Sequence, residues 1–168
     1  MDKEIIKEMR NAIKKNDLYT IKYFIDNNDG LLDVVTIFGT FLHDASTYGK
    51  YDVVKYLVEC GIDINRTGGV GGSSALTSAA FKGYMNIVEL LYEKGADFDI
   101  SSFYRNPLFA AIYNGHLDVA RFLVEKGIDF KVHYAIGDLE NVDAYEYARQ
   151  YGQTEIAEYL KSKLEENV

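Results

Sequence analysis

Few residues in this 168-residue sequence have the types and spacing that catalysis needs. The imidazoles are His43, His116 and His133, and the one thiol is Cys60. Metalloprotease, zinc-site and hydrolase chemistry use H-E-x-x-H, C-x-x-C and G-x-S-x-G patterns, and none of these is present. The glycine-rich run TGGVGGSS (67–74) suggests a phosphate cradle, but no lysine follows it and no strand-to-helix context surrounds it. It reads as a flexible turn. No catalytic residue, cofactor site or metal site is assigned, and the chain is expected not to be an enzyme.

The other candidate chemistry is aromatic. The chain holds 14 Tyr and 9 Phe. Tyr48, Phe81, Tyr113 and Tyr151 recur once per unit of about thirty-odd residues, and Phe103, Tyr104 and Arg105 lie together between two units. Aromatic side chains bury much area for little rotamer entropy, so they are the usual anchors of protein interfaces. Lys and Arg number 18 against 26 Asp and Glu, a net charge of −8. Nucleic-acid binding needs a basic surface, so that class is disfavoured, and a basic protein partner fits the field better. No apolar run reaches the length of a membrane span, and the first residues, MDKEIIKEMR, do not read as a signal peptide. A single cysteine fits a reducing, cytoplasmic location.

The elements that must position these rings are visible as columns. Taking Gly49, Gly83, Gly115 and Gly152 as anchors, alanine stands four residues before each, at Ala45, Ala79, Ala111 and Ala148. Four beyond come Val53, Ile87, Val119 and Ile156, and eight beyond come Leu57, Leu91, Leu123 and Leu160. With Tyr56, Leu90, Phe122 and Tyr159 seven beyond, these offsets mark one face of a helix. Gly61, Gly95 and Gly127 then end three of those helices. A shorter helix precedes each anchor, as over 42–48. Asn16 continues the register upstream, with Ala12 and Met9 in the matching columns. The expected partition is 1–34, 35–68, 69–100, 101–137 and 138–168, with the first and last stretches as capping units.

The strings LHDASTYGKYDVVKYLVECGIDIN (42–65), LTSAAFKGYMNIVELLYEKGADFD (76–99) and LFAAIYNGHLDVARFLVEKGIDFK (108–131) resemble the ankyrin repeat. The family's Thr-Pro-Leu-His turn survives only in pieces, as Leu42-His43 and Pro107-Leu108. The resemblance implies an all-α repeat solenoid of about five helix-turn-helix units, three complete and two acting as end caps, in one domain. It implies that His43 and His116 bond turn backbone. It places partner contacts on the concave face, at Tyr48, Phe81, Tyr113 and Tyr151 on the first helices and Phe103, Tyr104 and Arg105 on a turn tip. The segment 131–143 is the longest spacer and is expected to be a loop on one face, with Asp138 and Glu140 projecting beside Tyr151. Small bacterial proteins of this kind resemble immunity proteins that cover a toxin's substrate cleft, and the acidic balance suits a basic, nuclease-type toxin. The alternative is an intracellular scaffold or host-directed effector without an inhibitory role. The free chain is expected to be a monomer.

Overall fold

The apolar columns become buried seams. The computed structural model describes residues 2–166; residues 1, 167 and 168, at the ends of the expected capping units, and the side chain of Val70 lie outside the described residues. Its helices come in antiparallel pairs: α1 (Lys3–Lys15) with α2 (Leu18–Asn27), α3 (Phe41–Thr47) with α4 (Tyr51–Glu59), and α5 (Ala75–Lys82) with α6 (Met85–Glu93). Then follow α7 (Pro107–Tyr113) with α8 (Leu117–Glu125), and α9 (Ala144–Gln150) with α10 (Thr154–Glu166). The first helices pack side by side in the order α1, α3, α5, α7, α9, forming an inner layer, and α4, α6, α8 and α10 form an outer one. Ala45, Ala79, Ala111 and Ala148 are fully buried between the layers, where a larger side chain would hold the helices apart. Leu57, Leu91, Leu123 and Leu160 are buried from the outer side. Tyr23, in the same helical stripe as Tyr56 and Tyr159, is exposed rather than packed.

Each short inner helix ends in a left-handed residue that turns the chain back. Gly49 has φ +66 and Gly83 has φ +72, and Asn16 takes the same role at φ +61. Two of these glycines are needed for a second reason. The Tyr84 ring covers Gly49 so closely that an added Cβ would lie 2.7 Å from it, and His116 lies still closer over Gly83. With Gln153 over Gly115, each of the last three pairs therefore seats one side chain on the bare backbone of the pair before.

At the last three of the four joints between successive units, polar bonds form at the starts of the inner helices, with a different device at each. At the first, Thr40 N–H donates to His43 Nδ1 at 3.2 Å, so Nε2 carries the ring proton and donates to Ser73 O at 2.9 Å. At the second, Ser74 caps α5 and the Thr77 hydroxyl donates to Arg105 O at 2.7 Å. At the third, the corresponding side chain is Phe109, which can bond nothing. Fully buried Asn106 serves instead: its Oδ1 accepts from Leu108 N–H, and its Nδ2 donates to the Tyr134 hydroxyl at 3.1 Å. That hydroxyl donates onward to Ile100 O at 2.6 Å. His116 Nε2 also lies 3.2 Å from Phe81 O. Both histidines thus bond backbone.

The segment expected to be a loop carries structure. Strands β1 (Tyr134–Ile136) and β2 (Leu139–Val142) pair antiparallel around Gly137 and Asp138. Alternation along β1 puts Tyr134 and Ile136 on the packed face and Ala135 outside. The turn 67–74 has a bridge between Gly68 and Ser73 around a short helical turn. No helix among the described residues is long and apolar enough to cross a membrane.

Candidate partner-binding groove

The inner helices and turn tips line one continuous groove of about 960 Å³. Rings dominate it because the two residues before each anchor face away from the core. Phe81 and Tyr113 stack at 5.8 Å between centroids, and Tyr113 meets Tyr151 at 5.2 Å. Tyr151 lies 4.4 Å from Tyr147, which meets Phe109 at 5.0 Å and Phe103 at 5.4 Å. The result is an aromatic ladder crossing three units, its upper rungs near half-exposed and its lower rungs buried.

The hydroxyl of Tyr147 is the unusual group here. The residue is 1% exposed, and its hydroxyl faces that of Tyr151 without well-formed hydrogen-bond geometry. Burial, and after it the Tyr151 hydroxyl, push this phenol well above its ordinary range, so it stays a neutral donor.

The other end of the groove is polar. Arg10 of α1 approaches Asp44 of α3, Nε to Oδ2, at 2.9 Å. The contact is close but poorly aligned, so it is an ion pair more than a directed bond. Arg10 also donates to Thr36 Oγ1 at 2.6 Å and lies 5.0 Å above the Phe38 ring. It thereby fixes the turn that carries Ile37 and Phe38, which are 82% and 64% exposed. Lys82 lies over Phe81 and Lys14 over Tyr48, and neither has a carboxylate within ion-pair distance among the described residues.

Burial raises the Asp44 carboxyl from 3.8 to about 6, with Arg10 pulling the other way. A carboxyl raised on folding favours the folded state most below about pH 4, and that contribution is lost as pH rises through about 6. His43 runs in the opposite sense. Burial lowers its imidazole, so its contribution is present above about pH 6.5 and is lost as pH falls. An NMR titration of the Asp44 carboxyl should show a midpoint near 6, and Arg10→Met should move it upward. A midpoint that does not move in Arg10→Met would refute the pair.

The sequence-predicted residues divide. Tyr48, Phe81, Phe103, Tyr104, Tyr113 and Tyr151 all line the groove. Arg105 does not: it pairs with Asp99 at 3.3 Å, and its carbonyl serves Thr77. Asp138 and Glu140 are also off the groove, exposed at the end of the hairpin. The hairpin's contribution beside Tyr151 is Ile136, because strand alternation turns that side chain inward. Sequence reasoning missed Arg10, Ile37, Phe38, Ile136 and Tyr147. Ile37 stands twelve residues before Gly49, as Phe103 does before Gly115, so the repeat register held that signal. Among the described residues no group of three or more His, Cys, Asp or Glu could hold a metal ion.

A family model for ankyrin repeats, in three copies, matches residues 9–102 and 76–168. A palmitoyltransferase AKR1 from Lachancea kluyveri is 36% identical over 91 residues, 51% of this chain and 12% of that protein. A human transient receptor potential cation channel, subfamily A member 1, is 38% identical over 87 residues, 49% of this chain and 8% of that protein. The chain matches only about a tenth of the length of these relatives.

Proposed function

This chain belongs to the ankyrin-repeat family, and from that premise we propose that it binds one protein partner in the concave groove, with the aromatic ladder as its anchor. Ankyrin repeats are protein-binding modules, which is the ground the reading starts from. The observation that carries it is the run Phe81–Tyr113–Tyr151–Tyr147: large rings, partly open to solvent, contributed by three successive inner helices. Exposed rings arranged in contact lose little entropy on binding and exclude much water. Tyr48, Tyr104 and Phe103 extend the surface. Asp138 and Glu140 on the hairpin, and Arg105 beside Tyr104, are proposed as rim contacts.

The finer form of this reading is an immunity protein that blocks a basic, nuclease-type toxin by covering its active site. Its support is the net charge of −8, which would speed encounter with such a partner. A scaffold or effector would use the same groove and leave its partner's activity intact.

The test is capture from source-cell lysate with the folded chain and with a Tyr48, Phe81, Tyr113 and Tyr151 to Ala variant. The variant should lose the partner, since each hot-spot ring contributes about 2 kcal/mol. Equal recovery by a folded variant would exclude the groove. An activity assay on the recovered complex then separates inhibitor from scaffold.

A further inference from the structure

The groove carries the opposite electrostatic character to the molecule around it. The protein has a net charge of −8, yet the charged side chains that line the groove are Arg10 and Lys82 against the carboxylate of Asp44, among the described residues, with Lys14 beside them over the Tyr48 ring. Arg10 is already committed to Asp44. Lys14 and Lys82 are not committed; their ammonium groups sit over the Tyr48 and Phe81 rings with no carboxylate within ion-pair distance among the described residues. At physiological salt, fields from exposed charges fade within about 8 Å, so a segment lying in the groove feels these lysines more than distant surface carboxylates.

A second, independent feature asks for the same ligand chemistry. The buried Tyr147 hydroxyl faces the Tyr151 hydroxyl at the aromatic end of the groove, and both residues line it. Tyr151 is 45% exposed, so it can turn its own hydroxyl proton to a ligand oxygen while its oxygen accepts from Tyr147. The floor between the two ends is Thr77, Ser78 and Phe81 of α5, and it turns apolar toward Phe109, Ala110 and Ile136.

Resting on the concave-face reading above, we infer that the groove takes a peptide segment carrying an aromatic or large aliphatic anchor together with carboxylates. The anchor lies against the ladder, and the carboxylates face Lys14 and Lys82. A partner with a basic body would still be drawn to the acidic exterior, but the inserted segment is acidic.

A randomised peptide library on phage, selected against the immobilised full chain, tests this. Enriched clones should combine Trp, Phe, Tyr or Leu with Asp or Glu. Synthetic peptides from those clones should bind about tenfold more weakly to a Lys14→Met, Lys82→Met variant, a loss that shrinks in high salt. Tyr147→Phe keeps the ring stack and removes only the donor; it should weaken the same peptides. Clones that need the four exposed rings but are basic, or that ignore the two lysines, would overturn the acidic-segment inference and leave the concave-face reading standing. Clones indifferent to the rings would overturn both.

Discussion

Gly49→Ala should lower the free energy of unfolding by about 3 kcal/mol or more, while Gly61→Ala should lower it by about 1 kcal/mol. Both glycines sit at positive φ, +66 and +85, where an L side chain is strained. Gly61 has open space around a new methyl group, so strain is the whole cost. Gly49 lies under the Tyr84 ring, and the added methyl group would meet it at 2.7 Å. The Tyr84 ring is partly buried and packed against the core, so moving it aside loosens its contacts with the next pair. Urea titration followed by circular dichroism reads both values. Adding Tyr84→Ala to Gly49→Ala should recover the clash part and leave the φ part. Equal losses for the two single variants would show that the ring seat carries no energy.

Asn106→Ala should cost about 3 kcal/mol and also free the hairpin. The substitution removes the cap of α7, worth about 1 kcal/mol. It leaves the Leu108 N–H and the Tyr134 hydroxyl without this partner in a buried place, at about 1–3 kcal/mol more. The second loss distinguishes it from an ordinary cap variant. Amide exchange over 134–142 should speed up before the helices unfold. Asn106→Asp keeps the cap acceptor and loses the donor to Tyr134, so it should loosen the hairpin while sparing most of the cap. If hairpin exchange is unchanged in both variants, Asn106 is a local cap only.

The repeat was legible because its constraints are local and periodic. An alanine at each inner seam and a leucine at each outer seam follow from close helix approach and from the helical period, and both columns are buried as the spacing demands. Asn16 was readable as a stand-in for glycine for the same reason. The hairpin was not read, although its signal was short-range. Gly137-Asp138 stands between Tyr134-x-Ile136 and Leu139, a turn pair between apolar residues, but strands this short give little alternation to count. The site was partly legible. Rings next to the anchors could be placed by column, and they line the groove. What column reading could not supply was direction at the tips. Whether Arg105 points to the groove or to Asp99 depends on an ion pair six residues away, and Arg10 entered the groove through packing between units. The buried Tyr147 hydroxyl has no sequence mark at all.

The third joint has a consequence for how such an array could lengthen. The first two joints are made by side chains within the neighbouring units, His43 to Ser73 and Thr77 to Arg105, so a copied unit brings its own clasp. The third depends on Tyr134, borrowed from a spacer. A duplication of the stretch around α5 and α6 would therefore splice in seamlessly. One cut between α8 and the hairpin would orphan Asn106 and Ile100. Growth of this array is thus permitted in its middle and blocked near its end, and the hairpin acts as a stop mark written in hydrogen bonds.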